Sequence, residues 1–119
     1  MTIKNRPEYD KFISRIQKSS DSFRKASAEK RHSKEFRTAR ENLDHLIDDD
    51  SFLEFGQFAV AAQRSRRDYE ELQDKTNADG IITGFCSINS KLVGEYEAKA
   101  AAIVYDYSVL AGTQGYFHH

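Results

Sequence analysis

With 119 residues, 31% of them charged and a formal net charge of -1, the chain is long enough for one small core and no more. Eight Phe and six Tyr exclude a wholly disordered polymer, and a single cysteine, Cys86, excludes an internal disulfide. The apolar run Ala100–Tyr105 is far too short for a bilayer span, and Met1–Asp10 lacks the apolar stretch of a secretion signal. A reduced, cytoplasmic setting is expected, with no transit peptide to direct the chain to the mitochondrial matrix.

The charge is unevenly spread. Residues 1–40 carry twelve Lys/Arg against five Asp/Glu, a balance of +7; residues 41–119 carry six against fourteen, a balance of -8. A basic head on an acidic body suits nucleic acid, another subunit, or neutralisation of its own body. The basic residues are interleaved with acids and form no single stripe, which favours neutralisation and argues against nucleic acid.

Pro7 predicts a first helical residue, with Asn5 as its cap. Tyr9, Phe12, Ile13, Ile16 and Phe23 follow at roughly helical spacing. Ser19–Ser22 interrupt them and predict a break. From Ser33 the periodicity resumes, with Phe36, Ala39, Leu43, Leu46 and Ile47 on one helical face, and it stops at Asp48–Ser51. Phe52, Leu53, Phe55 and Phe58 predict a short strand. The polar stretch Gln63–Asp79 predicts a long surface connection with a helical turn around Tyr69–Leu72. Asp79-Gly80 opens a β-branched strand that runs to Asn89, and Asn89-Ser90 predicts a turn. A second strand is expected within Lys91–Glu97 and a third over Ala100–Tyr107. The third is apolar on both faces, as a strand covered on both sides would be. Helices thus precede strands, and helices on only one side of such a sheet imply an incomplete fold.

The residues offer little titratable chemistry. His118 and His119 are adjacent and point apart, and no metal-ligand spacing is present, so no metal is expected. His32 and His45 lie on polar helical stretches. Cys86 sits inside a strand without a base near it in sequence, which predicts an inert thiol. No catalytic side chain is identified. The remaining candidate is the turn Gly112, Thr113, Gln114, Gly115 at the end of the apolar strand. Glycines there allow close backbone approach, and successive N–H groups can hold an anion or a developing oxyanion. An ordinary connecting turn is the alternative.

Three blocks are more specific: "ARENLDHLIDDDSFLEF" (39–55), "ADGIITGFCSIN" (78–89) and "YDYSVLAGTQG" (105–115). In this order they resemble the N-terminal segment of the carboxyltransferase subunits of biotin-dependent acyl-CoA carboxylases. Ala39-Arg40-Glu41, Asp48, Ser51-Phe52, Glu54, Asp79-Gly80, Thr83-Gly84, Asp106, Ser108-Val109, Gly112 and Gly115 carry the match over about residues 34–119. Asn89-Ser90 departs from the family's Asn-Gly, and Gly94–Lys99 resembles an insertion. Both lie in a hairpin, where length changes are tolerated.

The resemblance implies an α/β fold: N-terminal helices followed by the strands of an incomplete crotonase (ClpP-like) domain. Residues 1–33 would be a basic helical region and 34–119 the start of the carboxyltransferase domain. The implied activity is transfer of a carboxyl group from carboxybiotin to the α-carbon of an acyl-CoA, with this piece inactive alone. Biotin would ride on a partner domain or subunit and not be bound here. The implied partners are acyl-CoA, the biotin carboxyl carrier, the biotin carboxylase and further copies of the subunit. Gly112–Gly115 would wall the acyl-CoA pocket near the thioester. Arg40 is open to two readings, a helix-to-sheet ion pair or a contact to a CoA phosphate. The rival expectation is a stand-alone interaction module that docks through its basic helix.

Overall fold

The computed structural model describes residues 5–118. Three helices come first: α1 (Pro7–Gln17), α2 (Lys25–His32) and α3 (Ala39–Leu46). Pro7 occupies the first helical position of α1, where its missing N–H costs nothing. The flanking residue is Arg6 and no side chain caps it, so Asn5 does not take the expected role. The break predicted at Ser19–Ser22 is real. The hydroxyls of Ser19 and Ser20 donate to the carbonyls of Ile16 and Gln17 at 2.7 and 2.6 Å, competing with helical bonding.

The third helix begins later than the periodicity from Ser33 suggests. Thr38 and Glu41 form a reciprocal capping box that sets the start at Ala39. Phe36 lies before it, exposed beneath the Arg31 guanidinium, so its place in the helical pattern is a coincidence of spacing. The apolar face of α3 buries Leu43 against Ile82, Cys86 and Ala102, the main core. Just past α3, the Asp48 carboxylate accepts from the N–H groups of Asn89 and Ser90 at 2.9 and 3.0 Å.

The sheet is antiparallel, in the order β1 (Leu53–Phe55), β2 (Ile81–Ser87), β3 (Lys99–Tyr105). Gly84 of β2 lies under β1. A Cβ there would reach the carbonyl of Leu53 and come 2.5 Å from the Phe52 ring, so the close crossing admits only glycine. The span Gln63–Asp79 is better anchored than a surface connection. It contains α4 (Tyr69–Lys75), whose Leu72 is fully buried in a second small core with Val60 and Ala61.

Two expectations fail in the hairpin that follows. Lys91–Glu97 holds no strand. Asn89 adopts a left-handed conformation (φ 56°) and leads into a single helical turn, α5 (Ser90–Val93), which ends at Gly94 (φ 94°). Nor is the third strand the covered one, since β2 is central and β3 lies at the edge among the described residues. Ala100, Ala102 and Val104 pack on the core, while Ala101, Ile103 and Tyr105 are exposed on the other face with Leu53, Phe55 and Phe85. Small alanines on both faces hide the alternation.

Two places are strained. Ala78, Asp79 and Gly80, entering β2, all have positive φ (55°, 47° and 79°), and so do Leu110, Ala111 and Gly112 after β3 (48°, 54° and 74°). For a non-glycine residue each such conformation costs about 1–2 kcal/mol.

Candidate functional site

The segment after β3 carries the predicted turn. Asp106 organises its start: one carboxylate oxygen accepts from the N–H and hydroxyl of Ser108, and the other accepts from Arg24 at 2.9 Å. The Arg24–Asp106 pair is nearly buried, with side chains 9% and 14% exposed. It ties the basic N-terminal region to the turn. Lys18 likewise pairs with Asp74 at 2.6 Å, and Arg31 lies over the Tyr107 ring. The basic head therefore neutralises its own body.

Within the turn the N–H groups of Gly112 and Thr113 donate to the carbonyls of Val109 and Leu110 at 3.0 and 3.1 Å. They are spent on the chain reversal. The N–H groups of Gln114, Gly115 and Tyr116 make no hydrogen bond among the described residues. Thr113 and Gln114 are exposed, Gly112 and Gly115 half-buried. The unbonded donors are thus the second half of the expected turn, Gln114 and Gly115, together with Tyr116. Beside the turn, Ser27, Lys30, Arg31, Lys34, Tyr107 and Ala111 line a cleft of about 290 Å³, basic on its helix side. A larger groove of about 750 Å³ lies at the far end of the sheet, lined by Leu53, Phe85, Glu95, Lys99 and Ala101. It is remote from the turn.

The turn rests on a residue that sequence reading passed over. Asp79, 2% exposed, accepts from the N–H groups of Phe117 and His118 through Oδ2, at 2.9 and 3.0 Å. His118 Nδ1 donates to the Asp79 carbonyl at 3.0 Å, which fixes the proton on Nδ1. Its ring leans on Tyr105, with centroids 4.9 Å apart. His118 is therefore a buried structural residue; His119 lies outside the described residues. The advance signals for Asp79 are its place in a turn ahead of a β-branched strand and its share in the family resemblance, and neither names partners 38 and 39 residues away.

The other candidates are structural. Burial, and next the charge of Asp48, push the Cys86 thiol up, so the inert reading holds. His32 is exposed and pairs with Glu41, whose carboxyl is held below its usual value first by that bond and then by the Thr38 N–H. Arg40 takes the ion-pair role: Nη1 and Nη2 donate to the two oxygens of Glu54 at 2.9 and 2.8 Å, joining α3 to β1. Among the described residues no group of three or more His, Cys, Asp and Glu could hold a metal, and no helix is long and apolar enough to cross a membrane.

Comparison with known proteins places this architecture. The chain is 31% identical over 90 residues to methylmalonyl-CoA decarboxylase subunit alpha of Veillonella parvula, covering 76% of the chain. It is 31% identical over 86 residues, 71% of the chain, to the carboxyltransferase subunit of propionyl-CoA carboxylase from Haloferax mediterranei. A solved single-chain, multi-domain long-chain acyl-CoA carboxylase superposes on 99% of the chain with a TM-score of 0.93 and 44% identity. The chain is homologous to a segment of the acyl-CoA carboxyltransferases. It spans 16% and 14% of the two curated relatives and 12% of the solved structure. Its mixed helix-and-strand order is that of the crotonase-like carboxyltransferases. The first of these is a subunit of a decarboxylase, the second a subunit of a carboxylase, and the third a multi-domain carboxylase in a single chain. No protein-family model matches.

Proposed function

We propose that this chain supplies a wall of the acyl-CoA pocket in a carboxyltransferase that moves a carboxyl group from carboxybiotin to the α-carbon of an acyl-CoA. The observation that carries the reading is the turn itself. It is held by a buried latch, its N–H groups at Gln114, Gly115 and Tyr116 make no hydrogen bond among the described residues, and at Ala111 it borders a cleft lined by Lys30, Arg31 and Lys34. The reaction develops negative charge on the thioester oxygen, which preorganised N–H donors stabilise. Coenzyme A is itself anionic, so a basic cleft that borders the turn at Ala111 suits its phosphates.

In this reading Gly112 and Thr113 shape the turn, and Gln114 and Gly115 face the thioester. Residues 1–33 form a basic helical region and 34–119 the start of the carboxyltransferase domain. Biotin and its carboxylation belong to partner domains or subunits, with the carboxyltransferase itself assembled from several copies.

The test is a titration of the full chain with methylmalonyl-CoA, followed by amide NMR. Shifts concentrated at Gln114–Tyr116 and at Lys30, Arg31 and Lys34 are expected, with no carboxyl transfer to free biotin by the chain alone. Shifts elsewhere, or none, refute the assignment.

A further inference from the structure

The Asp79 carboxylate is an expensive group to bury. It is 2% exposed, its Oδ1 has no hydrogen-bond partner among the described residues, and its backbone is left-handed. What it obtains is a grip on the loop after β3. Oδ2 holds the N–H groups of Phe117 and His118, and the Asp79 carbonyl holds the His118 ring. Two residues upstream of that grip, at Gly115, the backbone has no slack. A Cβ on Gly115 would stand 2.7 Å from the Asp79 Cγ and strike both carboxylate oxygens. A Cβ on Gly80 would stand 3.2 Å from Val109, which is itself buried. From the other side, the Gly80 carbonyl accepts from the Asp106 N–H at 2.9 Å. The loop is therefore held at both ends by the same dipeptide, Asp79-Gly80. Between those ends lie the N–H groups of Gln114, Gly115 and Tyr116, which make no hydrogen bond among the described residues.

We propose that Asp79 is the positioning residue of this site: its buried carboxylate latches the loop that follows β3 and sets the geometry at which Gln114, Gly115 and Tyr116 present their N–H groups. The inference rests on the reading that this turn meets acyl-CoA. The carboxylate never reaches ligand, because the glycine backbone lies between them. A charged acceptor holds two amides roughly twice as firmly as a neutral one, so asparagine preserves part of the latch and alanine none.

The experiment uses the full chain as wild type, Asp79→Asn, Asp79→Ala and Gly115→Ala. Amide hydrogen exchange reads the latch without any ligand, and titration with methylmalonyl-CoA reads the site. In Asp79→Ala, protection at Phe117 and His118 falls about tenfold or more relative to β2 and β3, and affinity falls by a similar factor. Asp79→Asn gives an intermediate loss in both, and Gly115→Ala, which keeps the aspartate but pushes its carboxylate out of the latch, matches Asp79→Ala. Protection lost evenly across β2 and β3 overturns the proposal, since Asp79 is then part of the global core. Loop protection lost with affinity unchanged also overturns it. If wild type binds no methylmalonyl-CoA while the exchange results hold, the acyl-CoA reading fails and the latch stands.

Discussion

Replacing Arg40 by methionine should destabilise the chain by about 3 kcal/mol. The guanidinium donates to both oxygens of Glu54, at 2.9 and 2.8 Å, and through Nε to the Ser19 carbonyl at 2.6 Å. It thereby joins α3 to β1 and to the turn that ends α1. The side chains of Arg40 and Glu54 are 21% and 11% exposed, so the pair is largely removed from water. Losing one partner of a buried pair costs about 3–5 kcal/mol, because the other charge stays buried without donors. Water reaches the arginine edge, so the low end of that range applies. In a domain of this size about 3 kcal/mol lowers Tm by roughly 10 °C or more. Urea melts of Arg40→Met, Glu54→Leu and the double variant give the coupling directly. The double variant should be more stable than Arg40→Met, since it no longer strands a carboxylate. If Arg40→Met stays within about 1 kcal/mol of wild type, or the cycle shows no coupling, the buried-pair reasoning is wrong. The CoA-phosphate role then becomes the better account of this residue, and a drop in methylmalonyl-CoA affinity in the folded variant would show it.

Gly112→Ala should cost only about 1 kcal/mol in urea denaturation, because an added Cβ meets nothing closer than 3.7 Å and only the positive φ of 74° resists it. Gly115→Ala should cost about 3 kcal/mol, since it displaces a carboxylate that accepts two N–H bonds. The Asp48 carboxyl is held below its usual value chiefly by the Ser90 N–H, so its folded pKa lies under its unfolded one. Its contribution is therefore present above about pH 4 and lost as pH falls through the folded value; Asp48→Asn should flatten the fall in urea midpoint between pH 5 and 3. The open sheet face of Leu53, Phe55, Phe85, Ile103 and Tyr105 should make sedimentation concentration-dependent at micromolar protein, and Ile103→Lys should reduce that dependence.

The elements legible in the sequence are those whose cause is local. Pro7 marks the start of α1, the serines after Ile16 end it, and the β-branched run after Asp79-Gly80 is β2. Where periodicity competes with a cap, the cap wins: the Thr38–Glu41 box starts α3 at Ala39 although Phe36 keeps the helical spacing. The hairpin was misread for a similar reason. Lys91–Glu97 carries no strong pattern, and the outcome is set by Asn89 and Gly94, which take φ of 56° and 94°, and by the distant Asp48 that holds the Asn89 and Ser90 amides. The departure from Asn-Gly at Asn89-Ser90 is harmless on this geometry, because the left-handed residue is Asn89, which tolerates it. In β3 three successive alanines carry too little bulk to say which face is covered.

The site shows why a glycine is ambiguous in a sequence. A glycine is required either because φ must be positive or because no Cβ fits, and the letter is the same. Gly112 is the first kind: its φ is 74° and space surrounds it. Gly115 is the second: its φ is not left-handed, and the room a side chain would need is filled by Asp79. Reading both as flexibility for a ligand locates the turn and includes Gln114 and Gly115, but it does not separate them from Gly112 and Thr113, which close the turn with their own N–H groups. The assignment needs the partner of Gly115, and that partner lies across the sheet, joined to the loop by bonds that span 38 and 39 residues. Asp79-Gly80 belongs to the motif that carries the resemblance, but the dipeptide does not reveal burial, because an Asp before a Gly is equally good at opening a solvent turn. Only burial distinguishes the two cases. A carboxylate 2% exposed has to be bonded to something, and the two amides it holds are the ones that fix the loop.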